Sequence, residues 1–148
     1  MQSKLPRQSF SFSGALLSSI LSLLLGLVVL TGWYTHNLDL IQVNPAFVPM
    51  QYNTALGFVM AGLGLFALAF ARFPIAALLG TLTFLLGCAT LFEYVSGFDL
   101  SIDQLFMQHY VDVETSNPGR MAPNTALCFA LSGLSLLLAT LFKQKETT

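Results

Sequence analysis

Met50-Gln51-Tyr52-Asn53-Thr54-Ala55-Leu56 opens one long apolar run, and Met121-Ala122-Pro123-Asn124-Thr125-Ala126-Leu127 opens another. The blocks share Met-x-x-Asn-Thr-Ala-Leu, and the match continues inward at one fixed offset, pairing Phe58 with Phe129, Gly62 with Gly133 and Leu65 with Leu136. Such self-similarity reads as one supersecondary unit used twice. Upstream of each block the likeness persists: Tyr34 precedes Leu38-Asp39-Leu40, and Tyr94 precedes Phe98-Asp99-Leu100. Ile41-Gln42-Val43 and Asp103-Gln104-Leu105 follow in turn. Each half therefore reads as helix, aromatic exit, Asp-Leu turn, Gln, long loop, motif, helix.

The 148 residues suit a single domain, 1–148. They are 55% hydrophobic and only 9% charged, against roughly 25% charged in a soluble domain. So little charge leaves the surface suited to lipid rather than to water. The net charge of -1 argues against nucleic acid, whose phosphates need a basic face. Apolar runs at about 14–34, 53–71, 74–96 and 124–142 approach or reach the length of about 20 helical residues that crosses a bilayer. The expected fold is an all-α membrane protein, a four-helix bundle of two parallel helix-loop-helix repeats related by an axis along the membrane normal.

Basic residues set the expected orientation. Lys4 and Arg7 precede the first run, Arg72 lies between the second and third, and Lys143 and Lys145 follow the fourth. All fall on one side, which the positive-inside rule makes cytoplasmic. Tails 1–13 and 143–148 are then cytoplasmic, and loops 35–52 and 97–123 external. The external side carries Asp39, Asp99, Asp103, Asp112 and Glu114, with Arg120 as its one basic residue. The first run passes into Thr31-Gly32-Trp33-Tyr34 without a small-x-small cleavage site, so it reads as a retained signal anchor. Trp33, Tyr34, Tyr52 and Tyr94 fall where an outer aromatic belt is expected.

Asn53 and Asn124 stand at the starts of the second and fourth runs, where an Asn side chain can cap orphan backbone N–H groups. Alternatively they meet across the axis and line a polar pocket walled by Met50 and Met121. Glu93 is the one carboxylate inside an apolar run, and an intramembrane acid calls for a named partner. Arg120, at similar depth, is the economical one; ligand recognition by Arg120 and proton sensing by Glu93 are the other options. Asp103 and Gln104 complete the candidate ligand or ion-pair set. His36 and His109, one per loop, are weak metal candidates, since no His-x-x-x-His or Glu-x-x-His spacing supports them.

Gly14, Ser18, Ser22 and Gly26 recur every four residues in the first helix. Gly57 and Ala61, Ala76 and Gly80, and Cys128 and Ser132 repeat the spacing in the others. Small residues on one stripe let helices approach closely in lipid, within the chain or between two copies. Cys88 and Cys128 lie in apolar runs without Cys-x-x-Cys spacing and read as packing residues. The sequence holds no Gly-rich phosphate loop, nucleophile elbow or helical zinc-protease motif, and it names no cofactor.

Three segments carry a resemblance: Leu91-Phe92-Glu93-Tyr94, Gly97-Phe98-Asp99-Leu100-Ser101-Ile102-Asp103-Gln104-Leu105 and Gly119-Arg120-Met121-Ala122-Pro123-Asn124-Thr125-Ala126-Leu127. With the first Asn-Thr-Ala-Leu block, they resemble the N-terminal membrane input region of many bacterial sensor histidine kinases and diguanylate cyclases. The resemblance covers almost the whole chain. It implies a non-enzymatic sensor-like module in the bacterial inner membrane, whose last helix passes a signal to an output domain. After the fourth run only Lys143-Gln144-Lys145-Glu146-Thr147-Thr148 follows, without a PAS, kinase or GGDEF domain. The chain is then either an excised input region or a free-standing member acting through a protein partner or as a homo-oligomer. A small accessory subunit of a larger membrane complex is the alternative.

Overall fold

The structure, a computed structural model, describes residues 5–111 and 117–147, with side chains described at 12–111 and 117–143. Residues 112–116 of the second loop, which include Asp112 and Glu114, and the Lys4, Arg7 and Lys145 side chains lie outside the described residues. Five helices follow in order: α1 Leu5–Thr35, α2 Leu38–Ile41, α3 Tyr52–Ala69, α4 Phe73–Ser96 and α5 Pro123–Thr147. There is no strand among the described residues. Four helices are long and apolar enough to cross a membrane, over Phe12–Thr35, Tyr52–Ala69, Phe73–Ser96 and Pro123–Lys143. The chain is an all-α, multi-pass helical bundle.

Local chemistry sets the helix ends. Pro74 sits in the first turn of α4, where its missing N–H is no loss. Gly97 ends α4 in the left-handed region, and its N–H returns to the Glu93 carbonyl. Between α3 and α4 only Phe70, Ala71 and Arg72 intervene; the Arg72 N–H bonds to the Ala67 carbonyl and tightens the turn.

α1 packs along α3, and α4 along α5. The crossings are made at glycines. A Cβ on Gly62 would fall 2.9 Å from both the Ser19 oxygen and the Leu23 nitrogen of α1. Gly133, at the same place in the second motif, lies against the Gly80 oxygen and Phe84 nitrogen of α4. In lipid, where helices gain nothing by leaving water, such close backbone contact is a main source of association. Leucines such as Leu17, Leu78 and Leu131 remain exposed for the bilayer.

The second interface differs from the expected symmetry. An axis along the membrane normal would set α1 against α5 as α4 is set against α3. Among the described residues α3 packs on α4 and touches α5, whereas α1 contacts neither α4 nor α5. The bundle is open along the α1–α5 seam.

The core forms three clusters. Val29, Trp33, Ile41, Tyr52, Ala55 and Val111 fill the end bearing both long loops, Met121, Ala126 and Phe129 run inward from the start of α5, and Ala67, Leu68, Ala76 and Leu136 fill the end with the α3–α4 turn. Trp33 is therefore no belt residue. It is 1% exposed, and its Nε1 donates to the Met50 carbonyl at 2.9 Å. Tyr52 is buried as well, sharing a 2.8 Å hydroxyl contact with exposed Tyr34.

Candidate functional site

The loop end of the bundle brings the charged residues together. Leaving α4, Gly97 adopts φ 70° and turns the chain back over the helix. This lets the Leu100 N–H donate to Glu93 Oε1 at 2.8 Å, so one oxygen of the buried carboxylate is held by backbone. Near the end of the same loop Gly119 adopts φ 82°. A Cβ there would lie 2.7 Å from the Asp103 carbonyl oxygen, so glycine lets the two loop segments touch. Arg120 is thereby delivered onto the carboxylates.

Its Nε lies 2.6 Å from Asp103 Oδ2 and 3.4 Å from Glu93 Oε2. A terminal nitrogen lies 3.8 Å from Asp99 Oδ1, and the guanidinium carbon stands 5.5 Å from the Tyr94 ring centre. The expected Glu93–Arg120 pair is present, but Asp103 is the nearer partner. The Glu93 side chain is fully buried, and those of Asp103 and Arg120 are only 9% and 11% exposed. Burial pushes the Asp103 carboxyl above its ordinary range, against the opposing pull of Arg120. Burial disfavours the Arg120 charge too, but bonding to Asp103 and the surrounding acids outweighs it and raises the guanidinium further.

The three acids Glu93, Asp99 and Asp103 converge closely enough to surround a cation, and the guanidinium already stands among them. Glu93 Oε2 and Asp103 Oδ1 have no hydrogen-bond partner among the described residues. A polar cavity of about 400 Å³ adjoins them, lined by Asp99, Ser101, Asp103, Gln104 and Asn117. Gln104 is exposed, and its Oε1 accepts the His109 N–H. The histidines stay apart from this cluster: His36 stacks on Tyr110 at 4.4 Å, and His109 leans on Trp33 at 5.8 Å.

Neither Asn is an N-cap. The N-cap of α3 is Gln51, which makes no side-chain cap bond, and Asn53 is already helical. Asn53 is buried, and its Nδ2 donates to the Ile102 carbonyl at 2.8 Å, tying α3 to the second loop. Asn124 lies one residue inside α5, exposed, with its Oδ1 accepting the Thr125 N–H. The two side chains therefore do not frame a shared pocket. Their mismatch follows from the open seam, because α3 packs on α4 of the other half whereas α5 does not meet α1.

The small-residue stripe divides. Ser22 donates to the Phe58 carbonyl at 2.9 Å, and Gly26 lies against Ala55 and Val59, so this half serves α1–α3 packing. Gly14 has nothing within 4 Å of its added Cβ, and Ser18 is exposed. In α5 the contact residue is Gly133, while Cys128 and Ser132 are exposed rather than packed as expected.

A second and larger cavity, about 1010 Å³, lies in the loop-end part of the α1–α5 seam. Leu25 and Val29 of α1, residues of the first loop, Tyr94, Arg120 and the start of α5 form its walls. Periodicity gave no sign of it, because the cavity depends on two helices failing to meet. Comparison with protein-family models, with curated proteins and with solved structures returned no match.

Proposed function

We propose that the chain is a membrane input module without an enzymatic step of its own, acting through a partner protein. The observation that carries this reading is the Arg120-centred cluster. One guanidinium links the exit of α4, the second loop and the start of α5, so a change of charge or occupancy there bears on the seating of α5. The resemblance to input regions of sensor kinases and cyclases supports the same class. The one-sided basic residues support a bacterial inner-membrane placement with cytoplasmic termini and the cluster outside.

The test is a distance measurement in lipid nanodiscs. Spin labels at Ala69→Cys and Phe142→Cys, with Cys88 and Cys128 replaced by Ser, report α3 against α5 at the turn end. Glu93→Gln should shift that distance by roughly 1–2 Å, the scale of helix shifts in switching proteins. An unchanged distance in a helical, folded variant would sink the input reading.

A second reading, an accessory subunit, is favoured by the part of α1 that the chain leaves uncovered at Gly14 and Ser18. Ser18→Cys should then crosslink to a co-purifying protein or a second copy more efficiently than Leu17→Cys. Equal yields at the two positions would remove it.

A further inference from the structure

The two sides of the bundle treat matching space differently. Between α3 and α4 the loop end is closed: Asn53 holds the Ile102 carbonyl, and Phe106 lies beside Tyr52 with ring centres 6.4 Å apart. Between α1 and α5 the first loop bonds to itself instead, the Ile41 carbonyl accepting the Met50 N–H at 2.8 Å. Asn124 is exposed, and the cavity of about 1010 Å³ occupies this side. It reaches Leu25, ten residues before the α1 terminus at Thr35, or about 15 Å along a helix. With α1 and α5 apart, it lies between two helices of bilayer-crossing length.

Its polar chemistry is selective. Gln51 lines the cavity, is 5% exposed, and has an Oε1 with no hydrogen-bond partner among the described residues. Its Nε2 donates to the Pro49 carbonyl at 3.3 Å, which fixes which end of the amide is the acceptor, since two oxygens would repel there. A buried acceptor without a partner costs about 1–3 kcal/mol, and a donor from a ligand removes that cost. The terminal amide torsion is broad, so a small turn brings Oε1 onto the cavity. Arg120, also on the wall, is already engaged by Asp103, Glu93 and Asp99. An anionic headgroup would meet that acidic cluster and is disfavoured, whereas a neutral head meets no such repulsion.

We infer that the α1–α5 seam binds a neutral, hydroxyl-bearing amphiphile from the bilayer, its hydroxyl donating to Gln51 Oε1 and its chain lying along Leu25 and Val29. The site does not depend on the input-module reading. It would exist equally in a subunit that carries no signal.

Trp33 is the only tryptophan and packs in the same cluster as the wall residues Val29 and Met50, so its fluorescence reports occupancy. The full chain in nanodiscs is titrated with 1-(9,10-dibromostearoyl)glycerol and, separately, with methyl 9,10-dibromostearate, which has the same quencher and no hydroxyl. The glycerol ester should quench saturably at about 5–10-fold lower mole fraction, as one hydrogen bond to a buried acceptor implies. Free glycerol should not displace it, which separates a bilayer ligand from a water-borne one. Gln51→Met should bring the glycerol ester to the level of the methyl ester. Thr125→Phe, which fills the wall at α5, should abolish saturable quenching while leaving Gln51 intact. Equal quenching by both esters in the unmodified protein would overturn the inference, as would a glycerol-ester preference that survives Gln51→Met. Displacement by free glycerol would also overturn it, by making the ligand soluble.

Discussion

Gly87, like Gly133, sits where the packing leaves no room for a side chain. A Cβ added there would lie 2.5 Å from both the Ala126 oxygen and the Ala130 nitrogen, and 3.0 Å from Ala130 Cα. Ordinary contact begins at 3.4 Å, so Gly87→Ala forces α4 and α5 apart by about 0.9 Å. Overpacking of this kind costs about 1–3 kcal/mol, and the upper value applies because the opposing atoms are backbone. Alanine returns at most about 1 kcal/mol of helix propensity. The net expectation is a loss of about 2 kcal/mol. It is measured by reversible SDS titration of the micellar protein, with Gly14→Ala as the control. Gly14 has nothing within 4 Å, so that variant should be neutral or slightly stabilised. Equal stability of the two alanine variants would refute the claim that α4 and α5 are held by backbone approach.

Arg120→Gln strands the carboxylates of Glu93 and Asp103, and unpairing a buried ion costs about 3–5 kcal/mol. Adding Glu93→Gln and Asp103→Asn should restore most of that loss in the same titration; no recovery would show that Arg120 acts other than by charge. Asp103 gives a pH dependence. Its carboxyl is raised on folding from an ordinary value of 3.8, so protonation favours the folded loop end. The stabilisation is full below the ordinary value and is lost as pH rises through the folded one. Relative to Asp103→Asn, the natural protein should lose stability between about pH 4 and the folded value, and a gain over that range would contradict the burial argument.

The spans were legible because continuous apolar runs of bilayer length have few other readings. The stripes were legible only in part. Spacing of four shows which residues share a face, but in lipid the inward and outward faces are both apolar, so nothing in the pattern says which stripe meets a neighbour. Ser22 and Gly26 face α3, one of the two uses the spacing left open; in α5 the contact falls on Gly133, one place beyond Ser132. Glu93 with Arg120 could be read because each is the lone charge of its kind in its surroundings. The closer Asp103 contact could not, since it depends on backbone turns at Gly97 and Gly119. The Asn assignments failed by two residues: both helices start one residue before the Asn, which moves it from cap to first turn.

The three-residue connection between α3 and α4 has a consequence for how the protein is made. Each hairpin, α1 with α3 and α4 with α5, completes its own glycine crossing from residues close in the chain, and the short turn then lays the second hairpin beside the first. Assembly can therefore follow synthesis, with no early helix held in reserve for a late one. The closure that would demand such waiting, between the first spanning helix and the last, is the contact this molecule leaves unmade.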